Sequence, residues 1–247
     1  MKSVIREYIT SDLHFYHSNI IKYADRIGYD SNNVNDVMKM NYDIVEYLNR
    51  EIPDEKNIVL WNLGDVFYGK LFSESSLVDL QKLVATMKGN HRTLKLVLGN
   101  HDRQFKRFAK WNLLYPLNAN YSFKGIFELI GFDYVYEYPV ILEDKFILSH
   151  EPIYLEKNSH FINIHGHTHQ KFVGSDYFTW RIENRDMVLK AYRDSHRVCP
   201  KPDAKKDNWE ELEVNAGKYI NVCWDSALPR VFDLNCILKN IDVRNVL

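Results

Sequence analysis

Histidines are concentrated in one short segment of the chain. Residues 149–170, SHEPIYLEKNSHFINIHGHTHQ, contain five of the ten histidines, and three of these stand at alternate positions as His165, His167 and His169. On an extended segment, residues two apart point to the same side, so His167 and His169 can present their imidazoles to one site. Imidazole is a common ligand of transition metals. The segment therefore indicates a metal site and raises the question of which carboxylates complete it.

Carboxylates and further ligands follow short apolar runs elsewhere in the chain. SVIREYIT leads into Asp12 and His14, NIVLWNL leads into Asp65, and LKLVL leads into Asn100. KFILS leads into His150, and FINI leads into the segment His-Gly-His-Thr-His. These runs are short, aliphatic and β-branched, as buried strands are. Seven nitrogen and oxygen ligands are too many for one tetrahedral ion and suit two ions that share a carboxylate.

Amphipathic helical segments lie between these strands. In DVMKMNYDIVEYLNR and SSLVDLQKLVATMKGN, apolar residues recur at steps of three and four, with Asp36 as the expected N-cap of the first helix and Gly89 as the C-cap of the second. Alternating strands and helices are typical of an α/β layered fold. In such folds ligands bind beyond the carboxyl ends of the strands, so we expect the polar clusters to meet there.

The chain is expected to form a single domain over residues 1–247 with two insertions. Residues 103–140 mix aromatic and polar positions and are interpreted as a partly helical insertion, and residues 171–215 are rich in charge. After the second insertion, KYINVCWD and RVFDLNCIL read as two more strands that form a hairpin or an adjacent pair.

The motifs, taken in order, resemble those of the calcineurin-like metallophosphoesterase superfamily, especially its small bacterial and phage members. The matching positions are Asp12-x-His14, Gly64-Asp65, Gly99-Asn100-His101-Asp102, His150 and Gly166-His167-x-His169. The segment SDLHFYHSNIIKYADR also resembles the opening block of the small members. The resemblance implies a four-layer α/β/β/α sandwich, in which helices flank two mixed sheets and a dinuclear metal site lies at the carboxyl ends of the strands.

The resemblance also implies a role for each matching position. One cation would be held by Asp12, His14, Asp65 and His169, and the other by Asp65, Asn100, His150 and His167. Asp65 would bridge the two cations. His101 would face the substrate and donate a proton to the leaving oxygen, and Asp102 would orient His101.

The residue types suit phosphate ester hydrolysis. Two divalent ions can lower the pKa of a shared water towards ~7, and the resulting hydroxide can attack phosphorus in line. A histidine with an ordinary pKa near ~6.5 is a suitable proton donor. The mixture of imidazole, carboxylate and amide ligands favours Mn²⁺, with Fe, Zn²⁺ and Ni²⁺ as alternatives, over Ca²⁺.

Substrate contacts are less clearly marked than metal ligands. His17 and Arg26 follow the first motif and are candidates to line the substrate pocket together with Asn100 and His101. A second role for His17 is support of a neighbouring ligand, and the alternative for Arg26 is a structural salt bridge. His165 is interpreted as a histidine of the core.

Composition narrows the class of protein. The chain has 247 residues with a net charge of −1, and its basic residues are scattered, which argues against a broad nucleic-acid-binding face. Its three cysteines are widely spaced, as in a reduced cytosolic protein. The N-terminus has no signal peptide pattern, and no run approaches the ~20 apolar residues of a membrane span. We expect a soluble protein of the cytoplasm, or of the host cytoplasm if the gene is phage-encoded.

These features predict a phosphoesterase that acts on a small phosphorylated, nucleotide-like substrate, either a phosphodiester or a phosphomonoester. A nuclease on single-stranded or structured nucleic acid is the first alternative, and it requires that basic residues between Lys95 and Lys110 line a groove beside the metals. A protein phosphatase is a further alternative. A metal-stabilised scaffold or binding protein is the non-enzymatic alternative, and it requires an occluded His101. The sequence does not indicate the oligomeric state.

Overall fold

Two β-sheets and a set of helices form the framework of the molecule. The computed structural model describes residues 5–68, 74–104, 123–156, 158–169, 218–226 and 230–235. Over these residues the helices are α1 Ile20–Tyr23, α2 Val34–Glu51, α3 Glu74–Lys88 and α4 Phe123–Ile130. The strands are β1 Arg6–Thr10, β2 Ile58–Asn62, β3 Thr93–Val97, β4 Tyr134–Tyr136, β5 Val140–Leu142, β6 Phe146–Ser149, β7 Ile162–His165, β8 Tyr219–Asn221 and β9 Phe232–Asp233.

Both sheets are mixed. The first sheet has the order β4-β3-β2-β1-β9, in which β1 to β4 run parallel and β9 runs antiparallel to β1. The second sheet has the order β5-β6-β7-β8, in which only β5 runs antiparallel to its neighbour. The predicted α/β class with two mixed sheets and helices is confirmed.

The first sheet has a different apolar layer on each face. Tyr8 and Leu60 point to the side where α2, α3 and α4 pack, and their cluster includes the buried residues of these helices. Ile9 and Trp61, one residue further along each strand, pack instead against side chains of the second sheet such as Phe146. This alternation follows from the two-residue period of a strand. In the described part of the chain, the helices, the first sheet and the second sheet thus form three layers.

The helices begin and end at specific caps. The side chain of Asn33 accepts a hydrogen bond from the backbone N–H of Asn35 at 3.0 Å, so α2 begins one turn earlier than its predicted cap, Asp36. Asp36 is instead in the first turn, where its carboxylate accepts the N–H of Asp30. Gly89 follows the last residue of α3 with a φ of +62°, as predicted for a C-cap glycine.

Among the described residues, no helix is long and apolar enough to span a membrane.

Two segments are placed differently from their sequence-based description. Residues 123–136, within the expected insertion at 103–140, supply α4 and β4, and β4 pairs in parallel with β3 at the edge of the first sheet. Strands β8 and β9 were expected to be adjacent, but β8 pairs with β7 in the second sheet and β9 pairs with β1 in the first. The expected insertion at 171–215 lies outside the described residues.

The two sheets meet at the carboxyl end of β1. Ser11 forms a bridge with Cys223, just after β8, and the backbone N–H of Trp224 donates to the carbonyl of Ser11 at 2.9 Å. This contact brings the ends of strands from both sheets to one place. The loops that follow β1, β2, β3, β6 and β7 carry the predicted ligands, and all of them open at this junction.

Candidate metal centre

The loops after β1 and β2 are joined by backbone hydrogen bonds. The N–H of Asp12 donates to the carbonyl of Gly64 at 3.0 Å, and the N–H of His14 donates to that of Asp65 at 2.9 Å. The two loops therefore run side by side as a continuation of the parallel pairing between their strands. Asp12, His14 and Asp65 are at most 2% exposed, so their side chains point into the protein rather than into solvent.

Several predicted ligands have a backbone conformation that L-residues rarely adopt. The described non-glycine residues with positive φ include Asp12, His14, Asp65, His167 and His169, at +50° to +70°. Such conformations cost about 1–3 kcal/mol each and persist where the surrounding structure enforces them, which is typical of functional sites. These backbone conformations direct the side chains of residues close together in one loop, such as Asp12 and His14, towards a common point.

Asp12, His14 and His169 form the first group of possible metal ligands, with ligand atoms within 4.8 Å of one another. His14 Nε2 lies 3.7 Å from Asp12 Oδ1, and His169 Nε2 lies 4.0 Å from the same oxygen. These distances are too long for hydrogen bonds. Asp12 Oδ1 and His14 Nε2 are buried and have no hydrogen-bond partner among the described residues.

Asp65, His150 and His167 form a second group of the same size. His150 Nε2 lies 3.3 Å from Asp65 Oδ2. Asn100 joins this group, because its Oδ1 lies 2.9 Å from His150 Nε2 and 3.0 Å from His167 Nδ1. Asp65 Oδ2 also lies 3.8 Å from His14 Nε2, so this carboxylate stands between the two groups.

The arrangement fits two divalent cations. A buried carboxylate oxygen and a buried imidazole nitrogen without partners are costly unless something binds them, and a cation would satisfy both. The donor set of imidazole, carboxylate and amide suits transition metals. All seven predicted ligands therefore lie where two neighbouring cations could share Asp65, as the motif predicts.

His101 lies beside this centre, but Asp102 does not orient it. His101 Nε2 is 3.7 Å from Asp65 Oδ2, and its Nδ1 has no hydrogen-bond partner in the described structure. Asp102 is fully buried, and its carboxylate accepts the backbone N–H groups of Gly99, Asp65 and Val66 at 2.7–3.0 Å. The prediction that Asp102 positions His101 by direct contact is therefore wrong: Asp102 ties the Asn100 loop to the Asp65 loop.

Arg26 is a structural residue rather than a substrate contact. Its guanidinium is paired with both carboxylate oxygens of Asp225 at 2.9 and 3.0 Å, and it donates to the carbonyls of Leu13 and Asp12. At 8% exposure, Arg26 has no donor left to offer to a substrate, which corrects the expectation that it lines the substrate pocket. His17, also predicted there, is buried, with its Nδ1 3.1 Å from His14 Nδ1, so it supports that ligand.

Two residues of the centre were missed in the sequence. Asp225 Oδ2 accepts a hydrogen bond from His169 Nδ1 at 3.0 Å. Cys223 donates its S–H to Asp12 Oδ2 at 3.0 Å and accepts the N–H of His169 through its sulfur. Both follow β8, so the signal that identifies the other ligands, a polar cluster at the end of a strand, also marks CWD at 223–225. His165, on β7, is buried, as expected for a histidine of the core.

The ionisable groups of the centre shift one another's pKa values. Burial alone raises the pKa of Asp65, but the nearby His150 outweighs it and holds this pKa below its usual range. Burial lowers the pKa of His150, and Asp65 outweighs it in turn and raises the pKa to about 10. Burial lowers the pKa of His101 to about 4, although Asp65 opposes this. Asp12, whose pKa is also lowered, and Asp65 thus stay ionised, as ligands of a cation must be.

Two glycines allow the loops to approach this closely. A Cβ at Gly99 would lie 2.1 Å from Asp65 Oδ1, and a Cβ at Gly166 would lie 2.4 Å from Asp12 Oδ2. Because Gly166 has no Cβ, the loop comes close enough for the N–H of His167 to donate to Asp12 Oδ2 at 2.9 Å. The glycine of each motif is therefore required by close packing against a ligand.

A cavity of about 240 Å³ opens beside the second group of ligands. Asn100, His150, Arg103 and Pro152 are among the residues that line it, and Arg103 donates a hydrogen bond to the carbonyl of Glu137. The cavity combines apolar walls with a few polar groups, as small-ligand sites do.

The chain resembles known proteins in sequence. The chain is 28% identical over 127 residues to the uncharacterized protein MJ1445 of Methanocaldococcus jannaschii, an alignment that covers 49% of this chain and 64% of that relative, less than two thirds of its length. The crystal structure of the protein of unknown function AQ665 from Aquifex aeolicus superposes with a TM-score of 0.47 at 17% identity, over 95% of this chain and 98% of that one. The family model for calcineurin-like phosphoesterases matches residues 5–213. The chain belongs to the calcineurin-like phosphoesterase family, whose members are metal-dependent phosphoesterases.

Proposed function

We propose that this chain hydrolyses a phosphodiester or phosphomonoester of nucleotide size at the centre around Asp65. The observation that supports this most directly is the position of Asp65, which belongs to the second ligand group with His150 and His167 and whose Oδ2 lies 3.8 Å from His14 Nε2 of the first group. A carboxylate shared by neighbouring ligand groups is what a two-metal hydrolase requires.

The residues at the centre divide into holders of the metals and a group that faces the substrate. One cation would be held by Asp12, His14, Asp65 and His169, and the other by Asp65, Asn100, His150 and His167. When bound, the two cations, preferably Mn²⁺, supply an activated water and neutralise the charge on phosphoryl oxygens. The buried carboxylates and the strained loops keep the ligand atoms in place before binding, so little reorganisation is needed.

His101 is the candidate proton donor to the leaving oxygen. Its side chain is 25% exposed, and its ring packs edge-on against Tyr68 at 4.5 Å between centroids. Its pKa of about 4 makes the free imidazole neutral at pH 7. A phosphate anion placed beside the ring favours the protonated form of His101, so binding of the substrate would raise the fraction of His101 that carries the proton to be donated. The partial exposure of His101 also disfavours the scaffold alternative, which requires this residue to be occluded.

The described surface favours a small substrate over a nucleic acid. Of the five basic residues that a nuclease would use between Lys95 and Lys110, Lys95 packs over the ring of Trp61 at 4.5 Å, and Arg103 lines the cavity. Lys106, Arg107 and Lys110 lie outside the described residues. Within the described residues, Arg103 beside the centre can contact a compact phosphorylated ligand, whereas a polymer needs several phosphate contacts along one face.

The proposal is tested with purified protein, an aryl phosphodiester, an aryl phosphomonoester and a panel of nucleotides. We expect Mn²⁺-dependent turnover that chelation abolishes and that Asp65→Asn lowers by at least ~10²-fold. Asp133→Asn is the matched control, because its carboxylate is on the helix side of the first sheet, paired with Lys88. Turnover that persists in Asp65→Asn or after removal of the metal would contradict the proposal.

A further inference from the structure

A buried chain of polar contacts leads from Arg26 through Asp225 to His169. The guanidinium of Arg26 is paired with both oxygens of Asp225, and Asp225 Oδ2 accepts the Nδ1 hydrogen of His169 at 3.0 Å. The side chains of Arg26 and Asp225 are each 5% exposed. We refer to these three residues as the Arg26 relay.

The Arg26 relay reaches the first ligand group at two points. At one end Asp225 fixes the ring of His169, leaving Nε2 to point towards Asp12 Oδ1. At the other end Arg26 donates to the carbonyls of Asp12 and Leu13, on the strained backbone that carries Asp12 and His14. One arginine thus supports the loop of two ligands and, through a carboxylate, the orientation of the third.

In the second ligand group, His150 has a backbone carbonyl rather than a carboxylate behind its imidazole. Its Nε2 faces Asp65 and Asn100, and its Nδ1 donates to the carbonyl of Leu63 at 2.8 Å. A carboxylate partner makes a ligating imidazole more basic than a neutral carbonyl does, and it fixes the tautomer. The two sites therefore differ in the group that supports an imidazole, as well as in Asp12 of the first site against Asn100 of the second.

We infer that Arg26 and Asp225 are positioning residues that make the site of Asp12, His14 and His169 the tighter of two cation sites, so that it fills first. The inference rests on the proposed function, since it assumes that both groups bind a cation. It assigns to each of these two residues, 199 positions apart in the chain, a role that neither motif reveals.

The inference predicts an ordered titration. With one equivalent of Mn²⁺, the anomalous scattering of a crystal should be strongest between Asp12, His14 and His169. In calorimetric titrations of the wild type, two affinities should be resolved. Asp225→Asn should weaken the first by about 10–100-fold and leave the second within a factor of ~3.

The matched control is Asp43→Asn. Asp43 and Asp225 line the same cavity of about 570 Å³ next to helix α2, but Asp43 is paired with Lys39 and Tyr29 and contacts none of the predicted ligands. Its substitution should leave both affinities unchanged. If Asp225→Asn does not fold, Arg26→Lys provides the same test, because lysine keeps the charge and loses the paired hydrogen bonds to Asp225.

The outcomes separate this inference from the proposed function. A wild type that binds no Mn²⁺ would refute both. A wild type that binds two ions, with first-site affinity unchanged in Asp225→Asn or Arg26→Lys, would overturn the relay and leave the proposed function standing. Equal weakening of both sites would also overturn it, because that result indicates general loosening of the fold.

Discussion

At the level of single residues, His101 differs from three of the histidines predicted to bind metal. The difference lies in the ring nitrogen that faces away from the centre and in the partner of that nitrogen. His14, His150 and His169 each have a ring nitrogen within hydrogen-bond distance of another side chain or a carbonyl. His101 Nδ1 has none among the described residues, so nothing there fixes the ring as a ligand. Its side chain is also 25% exposed, which fits a group that gives a proton to the substrate.

We therefore expect His101→Ala to retain both metals and to lose about 10²–10⁴-fold in kcat, the usual contribution of a positioned acid. Metal content by elemental analysis and steady-state kinetics provide the measurement. His160→Ala is the control, since His160 is an exposed histidine far along the chain. A loss of less than ~10-fold would assign the proton donor elsewhere.

The ionisation of Asp225 gives the folded protein a pH dependence. Burial raises the pKa of Asp225, but His169 and Arg26 outweigh burial and hold it below its ordinary value. A carboxyl with a lowered pKa stabilises the folded state above its unfolded pKa of ~3.9, and this contribution is lost as the pH falls through the lowered value.

Substitution of Asp225 should consequently matter most at neutral pH. In Asp225→Asn the buried Arg26 loses its counter-charge, which costs about 3–5 kcal/mol of unfolding free energy. At acid pH the wild-type carboxyl is protonated as well, so the difference between the two proteins should shrink. Urea unfolding in chelator at both pH values measures this, and a difference independent of pH would contradict it.

The ligands themselves could be identified from sequence because each motif is local, whereas their supporting contacts could not. Asp12 and His14 lie two residues apart after a strand, so their type and spacing are visible together. Arg26 and Asp225 meet only in the folded chain, and neither shows its partner in the sequence. Asp102 follows His101 directly, yet its carboxylate turns towards the backbone of the neighbouring loop.

At the level of elements, the close approach of two loops from different sheets depends on Gly166. A methyl group there would meet Ser11 Oγ at 2.1 Å and Asp12 Oδ2 at 2.4 Å. Gly166→Ala should therefore push Asp12 away from His169, weaken Mn²⁺ binding by more than ~10-fold and lower the unfolding free energy by roughly 1–3 kcal/mol.

Gly28→Ala is the control for this substitution. Gly28 has a φ of +94° and open space around its Cα, so alanine adds backbone strain there without touching a ligand. It should lower stability by about 1 kcal/mol and leave metal affinity unchanged. Equal effects of the two variants on metal affinity would show that close packing at Gly166 is not what holds Asp12.

The elements most visible in the sequence are those with the strongest periodic signal. Strand β2 falls within its apolar run, β3 begins one residue before its run, and α2 follows its helical spacing. Strands β8 and β9 are three and two residues long, and their pairing is decided by contacts with distant strands. So short a pattern does not specify which sheet it joins, and for that reason their expected pairing was wrong.

In the molecule as a whole, the candidate metal centre joins the two sheets. Asp12 and Asp65 follow strands of the first sheet, whereas His150, His167 and His169 follow strands of the second. Each of the two ligand groups takes members from both sheets. Direct contacts between the sheets at this end include the bridge of Ser11 with Cys223 and the hydrogen bond from His167 to Asp12, and cations would add a further connection.

Metal binding should accordingly stabilise the whole fold. A ligand at 100 times its Kd adds about 2.7 kcal/mol of unfolding free energy. For a chain of this size that corresponds to a rise in Tm of roughly 5–10 °C, measurable by calorimetry with and without Mn²⁺. Asp65→Asn removes the shared carboxylate and should abolish most of the rise, whereas Asp133→Asn should retain it. The contrary result is that Mn²⁺ raises the Tm of Asp65→Asn as much as that of the wild type. That result would mean that the ion binds outside the candidate metal centre and does not connect the two sheets.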